Sequence, residues 1–272
     1  MPDYRTYLLD LDGVIYRGNL LLPGARELVE WIDATGRQAL YLSNNSFATP
    51  EAVAAKLARL GMPRPEERVF TAGQAAVRAI AERFPGGRVY LLTVPALDVM
   101  AERVGLRPVW RDGRDGEVPD AVMIGLDRTV TYERLSSALR AVLAGAAFYA
   151  VNRDPRLPVE DGFEPGTGSL VAALEYATGK RAETIGKPAP GIALEAMRML
   201  NADPSSTLMV GDGLDLDIVA GHAARVTTAL VLTGLTSGEE AASATGERRP
   251  DMVFPDLPAL LRAAQAGTLS PA

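Results

Sequence analysis

Two aspartates stand two residues apart in the run Asp10-Leu11-Asp12-Gly13, directly after a short apolar stretch. At the end of a strand, their carboxylates and backbone carbonyls can converge on one hard cation such as Mg²⁺, and Gly13 then lets the chain turn sharply. A carboxylate is already ionised at neutral pH, so Asp10 can attack phosphorus without a separate base. A divalent cation would offset its repulsion from a phosphate dianion. Asp12, if it keeps a proton, can protonate a leaving alcohol and later activate water. Taken alone, the pair reads equally well as turn-forming residues, because Asp-Gly is common in turns.

Three further clusters carry compatible chemistry. Ser43-Asn44-Asn45 follows an apolar run and offers a hydroxyl, amides and backbone N–H groups to phosphate oxygens, although such runs are mostly loops. Lys187, between Gly186 and Pro188, can act as a point charge on a phosphate and on a nucleophilic carboxylate; a solvated surface lysine is the ordinary alternative. Gly211-Asp212-Gly213-Leu214-Asp215-Leu216-Asp217 places Asp212 after a buried run as a metal ligand. Asp217 can orient metal-bound water or Lys187, and Asp215 favours the start of the next helix. The spacing lacks the terminal glutamate of an EF-hand loop.

These clusters need a scaffold that brings strand ends together. Short apolar runs at Tyr7–Leu9, Ala39–Leu42, Val89–Leu92, Ala121–Ile124, Ala147–Val151, Leu208–Val210 and Ala229–Leu232 read as strands buried on both faces. Between them, Ala25–Ala34, Pro50–Leu60, Ala75–Phe84, Tyr132–Ala144, Ser169–Thr178 and Pro190–Leu200 read as helices, several ending at glycine. The alternation predicts an α/β fold with a doubly wound parallel sheet, whose strand carboxyl ends form a ligand-binding edge. Residues 74–180 have an alternation of their own and read as a domain inserted into a core made of residues 1–73 and 181–272. The Ala/Gly/Ser/Pro-rich C-terminus reads as a frayed tail.

Composition narrows the functions. With 47% hydrophobic and 23% charged residues, the chain can build a sizeable core. A net charge of −6 gives no electrostatic reason to expect nucleic acid or an anionic membrane as partner. The absence of cysteine excludes disulfides, thiolate metal sites and a cysteine nucleophile, and suits a reducing cytoplasm. No apolar run approaches the ~20 residues of a membrane helix, and the N-terminus has no signal-peptide pattern. A histidine-based hydrolase would depend on His222, which stands in an Ala/Gly-rich stretch and reads as structural.

The order of the clusters, Asp-x-Asp-Gly, then Ser, then Lys, then Gly-Asp-x₄-Asp, resembles the four motifs of the haloacid dehalogenase-like phosphatase superfamily across nearly the whole chain. Ser43-Asn44-Asn45-Ser46, the stretch 122–127, Asn152-Arg153-Asp154, Pro165-Gly166-Thr167-Gly168 and Gly186-Lys187-Pro188 resemble its subgroup with a large α/β cap, the 4-nitrophenyl phosphatase-like enzymes. The resemblance implies a Rossmann-like core and a Mg²⁺-dependent phosphomonoesterase. Asp10 would be nucleophile and Asp12 general acid/base; Asp10, Asp212 and the Asp12 carbonyl would hold the metal; Ser43, Asn44, Asn45 and Lys187 would hold the phosphate. Asp12 favours phosphoryl transfer over dehalogenation, since a halide needs no comparable protonation. Substrates implied are sugar phosphates, phosphoglycolate, nucleotides or aryl phosphates, with possible homodimers formed through the cap. Asp154, Arg156 and Leu157 are candidates for touching the leaving group, and Leu157 stands where pyridoxal-phosphate-specific relatives carry histidine. Two alternatives are a receiver-like phosphoacceptor, which the inserted domain and the Asp10/Asp12 spacing disfavour, and a non-catalytic binding descendant, for which no catalytic residue is missing.

Overall fold

The computed structural model describes residues 3–46, 48–63, 65–109, 118–159 and 162–270. They fall into two compact units. The first comprises Met1–Ser43, Pro50–Phe70 and Lys187–Ala272; the second comprises Asn44–Thr49 and Thr71–Gly186. The sequence-based boundaries lay at 73/74 and 180/181; the units divide at 70/71 and 186/187, and the short segment Asn44–Thr49 goes with the second.

The first unit is built on a six-stranded sheet in the spatial order Met252–Phe254, Thr227–Val231, Thr207–Gly211, Thr6–Asp10, Gln38–Ser43, Val69–Thr71. The pairs of the four central strands, and that of Thr227–Val231 with Met252–Phe254, are parallel. Thr6–Asp10 and Thr207–Gly211 are buried at every residue, which accounts for their continuous apolar runs. Leu9 pairs with Val210 and Asp10 with Leu42, so Asp10, Gly211 and Ser43 leave the sheet side by side at its carboxyl edge. Helices flank the sheet; Ala25–Ala34, for instance, buries Ala25, Leu28, Val29 and Ile32 at helical spacing.

The second unit holds a five-stranded parallel sheet in the order Glu183–Thr184, Ala147–Ala150, Ala121–Ile124, Arg88–Leu92, Arg107–Pro108. The helices Tyr132–Leu143 and Thr167–Thr178 cover part of it around Val122, Ile124, Ala138, Val142 and Val171. An antiparallel hairpin, Arg156–Val159 with Gly162–Pro165, is appended.

A late helix was not read from the sequence. Leu257–Gln265 is a helix started by the Asp256 side chain, which accepts the N–H of Ala259 at 2.8 Å, and Leu257 and Leu260 are fully buried. His222 is a structural cross-link, with Nδ1 2.9 Å from the Glu247 carbonyl oxygen and Nε2 3.1 Å from Thr228 Oγ1. Among the described residues, no helix is long and apolar enough to cross a membrane.

Candidate active site

Asp10 ends the central strand of the first unit and is buried there. Lys187, four residues before the helix Gly191–Leu200, is 2% exposed. Its ammonium donates to Asp10 Oδ1 and, at 2.7 Å, to Asp217 Oδ1. Asp217 lies in a five-residue π-helical turn, Leu214–Ile218, which follows the Thr207–Gly211 strand after Asp212 and Gly213. Its second oxygen, Oδ2, accepts the backbone N–H of Asp212 at 3.2 Å and of Gly213 at 3.0 Å. One carboxylate therefore braces both the lysine and the Asp212 loop.

Asp212 is held from the other side by the loop Thr233-Gly234-Leu235, whose Leu235 N–H donates to Asp212 Oδ2 at 2.7 Å. Two glycines make room for it. A Cβ on Gly13, whose φ is +78°, or on Gly234 would fall on the Asp212 carboxylate. Thr233 Oγ1 donates to the Gly13 carbonyl at 2.6 Å and closes the cradle.

Carboxylate oxygens of Asp10, Asp212 and Asp217 lie within 4.8 Å of one another. Burial pushes the Asp10 carboxyl up to about 8; Lys187 opposes the rise, while Asp217 and Asp212 add to it. Burial and the Asp217 charge push Asp212 up to about 6. For Lys187, burial works against the charge, but Asp10 and Asp217 outweigh it and hold the ammonium above its ordinary range. Three carboxylates facing one ammonium leave an excess of negative charge that a divalent cation would relieve. Both oxygens of Asp217 are engaged by donors. Among the described residues, Oδ2 of Asp10 and Oδ1 of Asp212 accept no hydrogen bond from another residue. The donor set thus fits a hard cation on Asp10 and Asp212.

Asp12, exposed, lies on the turn after Asp10 and is bridged to Tyr16, whose hydroxyl is 3.3 Å from Asp12 Oδ2. Burial, then Asp12 and Asp10, raise the Tyr16 phenol above its usual range, so it stays a donor. Ser43 is buried at the end of its strand, beside Asp10 in the sheet. Asn44 and Asn45 belong to the second unit. Asn44 Nδ2 lies 3.4 Å from Asp154 Oδ1 and Oδ2, and Asn45 Oδ1 accepts the N–H of Ala48 at 2.7 Å. Asn152 Nδ2 donates to the Asn44 carbonyl at 2.6 Å and to Asp154 Oδ2 at 3.0 Å. Arg156 stacks over the Phe163 ring across the hairpin at 4.9 Å; the Leu157 side chain lies outside the described residues. The Thr233–Leu235 loop and Tyr16 did not emerge from the sequence: neither carries a motif, and only the glycine at 234 hinted at a close approach.

The chain matches the model of the haloacid dehalogenase-like hydrolases over residues 7–107, and a second, HAD-hydrolase-like model over residues 184–260. It is 39% identical to an acid sugar phosphatase of Staphylococcus saprophyticus, over 88% of this chain and 91% of that protein. The chain is a haloacid dehalogenase-like hydrolase. A 5′-nucleotidase of Bacillus subtilis is also 39% identical over the same shares. Among solved structures, this hydrolase is similar to the glycerol phosphate phosphatase of Mycobacterium tuberculosis in complex with magnesium. The TM-score is 0.87 at 38% identity, covering 97% of this chain and 78% of that one.

Proposed function

We propose that this haloacid dehalogenase-like hydrolase is a Mg²⁺-dependent phosphomonoesterase that acts on a small phosphorylated metabolite through an aspartyl-phosphate on Asp10. The observation that carries this reading is Lys187 held between Asp10 and Asp217, with Asp212 alongside on the braced loop. Sugar phosphatase, nucleotidase and glycerol phosphate phosphatase relatives support the class of reaction.

Asp10 attacks phosphorus, forming an Oδ–P bond as the bond from phosphorus to the leaving oxygen breaks. Asp12 gives its proton to that oxygen. Asp12 then takes a proton from water, whose oxygen attacks the aspartyl-phosphate and frees Asp10 and inorganic phosphate. Lys187 and Ser43 hold the phosphate oxygens, with Asn44 and Asn45 offering further donors. Asp10, Asp212 and the Asp12 carbonyl would hold Mg²⁺, which would supply the positive charge that lets two anions meet. The second unit, with Asp154, Arg156 and Leu157, is proposed to act as a cap that selects the leaving group. A reducing cytoplasm suits a chain without cysteine.

The test is phosphate release from 4-nitrophenyl phosphate. EDTA is expected to lower the rate by ~100-fold or more, several kcal/mol of transition-state stabilisation, with full recovery on adding Mg²⁺. Unchanged release in EDTA would overturn the reading. Two copies are proposed to pair through the second unit, supported by the exposed Tyr132 (88%) and Tyr176 (93%) on its helices. Light scattering is expected to give twice the chain mass, and a monomer mass at high protein concentration would exclude the pairing.

A further inference from the structure

After the turn at Gly13 the chain doubles back into a small hairpin, Tyr16–Arg17 with Leu20–Leu21. The N–H groups of Ile15 and Tyr16 both donate to the Leu11 carbonyl, at 2.9 and 3.0 Å, and Gly13 N–H donates to the Tyr16 carbonyl at 2.8 Å. The backbone therefore fixes Tyr16 against Asp12. Tyr16 is 4% exposed, and Lys56, on the helix Pro50–Arg59, places its ammonium 3.5 Å from the centre of the ring. A cation over the ring face is attracted by its quadrupole and seats the ring.

A buried tyrosine hydroxyl needs an acceptor, yet burial alone does not supply one: those of Tyr4 and Tyr41 have no hydrogen-bond partner among the described residues. The Tyr16 hydroxyl faces the Asp12 carboxylate at 3.3 Å, longer than an ordinary O–H···O bond and of the kind that tightens when substrate is bound. Asp12 itself is exposed, so this contact restrains its rotation.

We propose that Tyr16, seated by Lys56, is a positioning residue that aims the Asp12 carboxyl at the leaving-group oxygen. This rests on the reading of Asp12 as the proton carrier. A misplacement near 1 Å costs catalysis about 10²-fold, so loss of one restraint among several should cost about tenfold. The effect must depend on the leaving group. 4-Nitrophenolate leaves without a proton, whereas the more basic phenolate needs one.

The experiment compares kcat/KM, which reports the formation of the aspartyl-phosphate alone, for phenyl phosphate and 4-nitrophenyl phosphate, with Mg²⁺, in the wild type, Tyr16→Phe and Lys56→Met. Tyr16→Phe keeps the ring beneath Lys56. Its kcat/KM on phenyl phosphate is expected to fall about tenfold while that on 4-nitrophenyl phosphate stays within about twofold. Lys56→Met is expected to show the same selectivity at about threefold. Equal loss of kcat/KM on both esters in Tyr16→Phe, or no loss on either, overturns the positioning role and leaves the phosphatase reading standing. A wild type that releases phosphate from neither ester overturns that reading, and the positioning role with it.

Discussion

Asp10→Asn is expected to lower phosphatase turnover by about 10⁴-fold or more, because a neutral amide is no nucleophile and nothing else is placed to attack. The fold should hardly notice. Burial has pushed the Asp10 carboxyl up to about 8, well above its unfolded value of 3.8. A raised carboxylate pKa means that the folded, metal-free protein keeps a proton that the unfolded chain releases. Stability from this group is therefore present below the unfolded value and is lost as pH rises through about 8. An isosteric amide resembles the protonated form, and Lys187 keeps Asp217 as partner. The melting temperature of metal-free Asp10→Asn at neutral pH should then stay within a few degrees of the wild type. Metal-independent turnover in this variant would overturn the nucleophile assignment.

Lys187→Met should do the opposite and damage the fold as well as the chemistry. The ammonium is buried between two carboxyl groups, and removing it leaves Asp217 without its counter-charge and Asp10 without its donor. Breaking a buried pair in this way costs about 3–5 kcal/mol, a fall of roughly 10 °C in a chain of this size. Turnover should fall with it, since the phosphate loses its point charge. Added Mg²⁺ should recover part of the melting temperature but not the rate. A variant that melts like the wild type in EDTA would show that the carboxylates do not depend on the lysine.

The strongly apolar strands were legible to within two residues, because burial on both faces leaves a continuous signal: Tyr7–Leu9 was expected and Thr6–Asp10 is observed. Short edge strands carry less. Val69–Thr71 and Met252–Phe254 hold three residues each and were not read. The helix Leu257–Gln265 had its signals in place, an aspartate cap followed by proline, and was not read. In the site, Asp10, Lys187 and Asp212 were legible because each follows a buried run or a glycine at a strand end. Tyr16 was not, because its approach to Asp12 depends on a turn whose closure is set by backbone hydrogen bonds. Asn44 illustrates a different limit: adjacent in sequence to Ser43, it belongs to the other compact unit, a division that chain order does not encode.

The two oxygens of Asp217 give the site an evolutionary property. One holds the lysine assigned to phosphate, the other the loop assigned to metal. Substitutions at Lys187 and in the Gly211–Gly213 segment therefore share a partner, and their effects are not additive. A change at Asp217 is therefore expected to alter affinity for the cation and for the phosphate together, and to leave parts of the chain that this carboxylate does not touch free to set substrate preference.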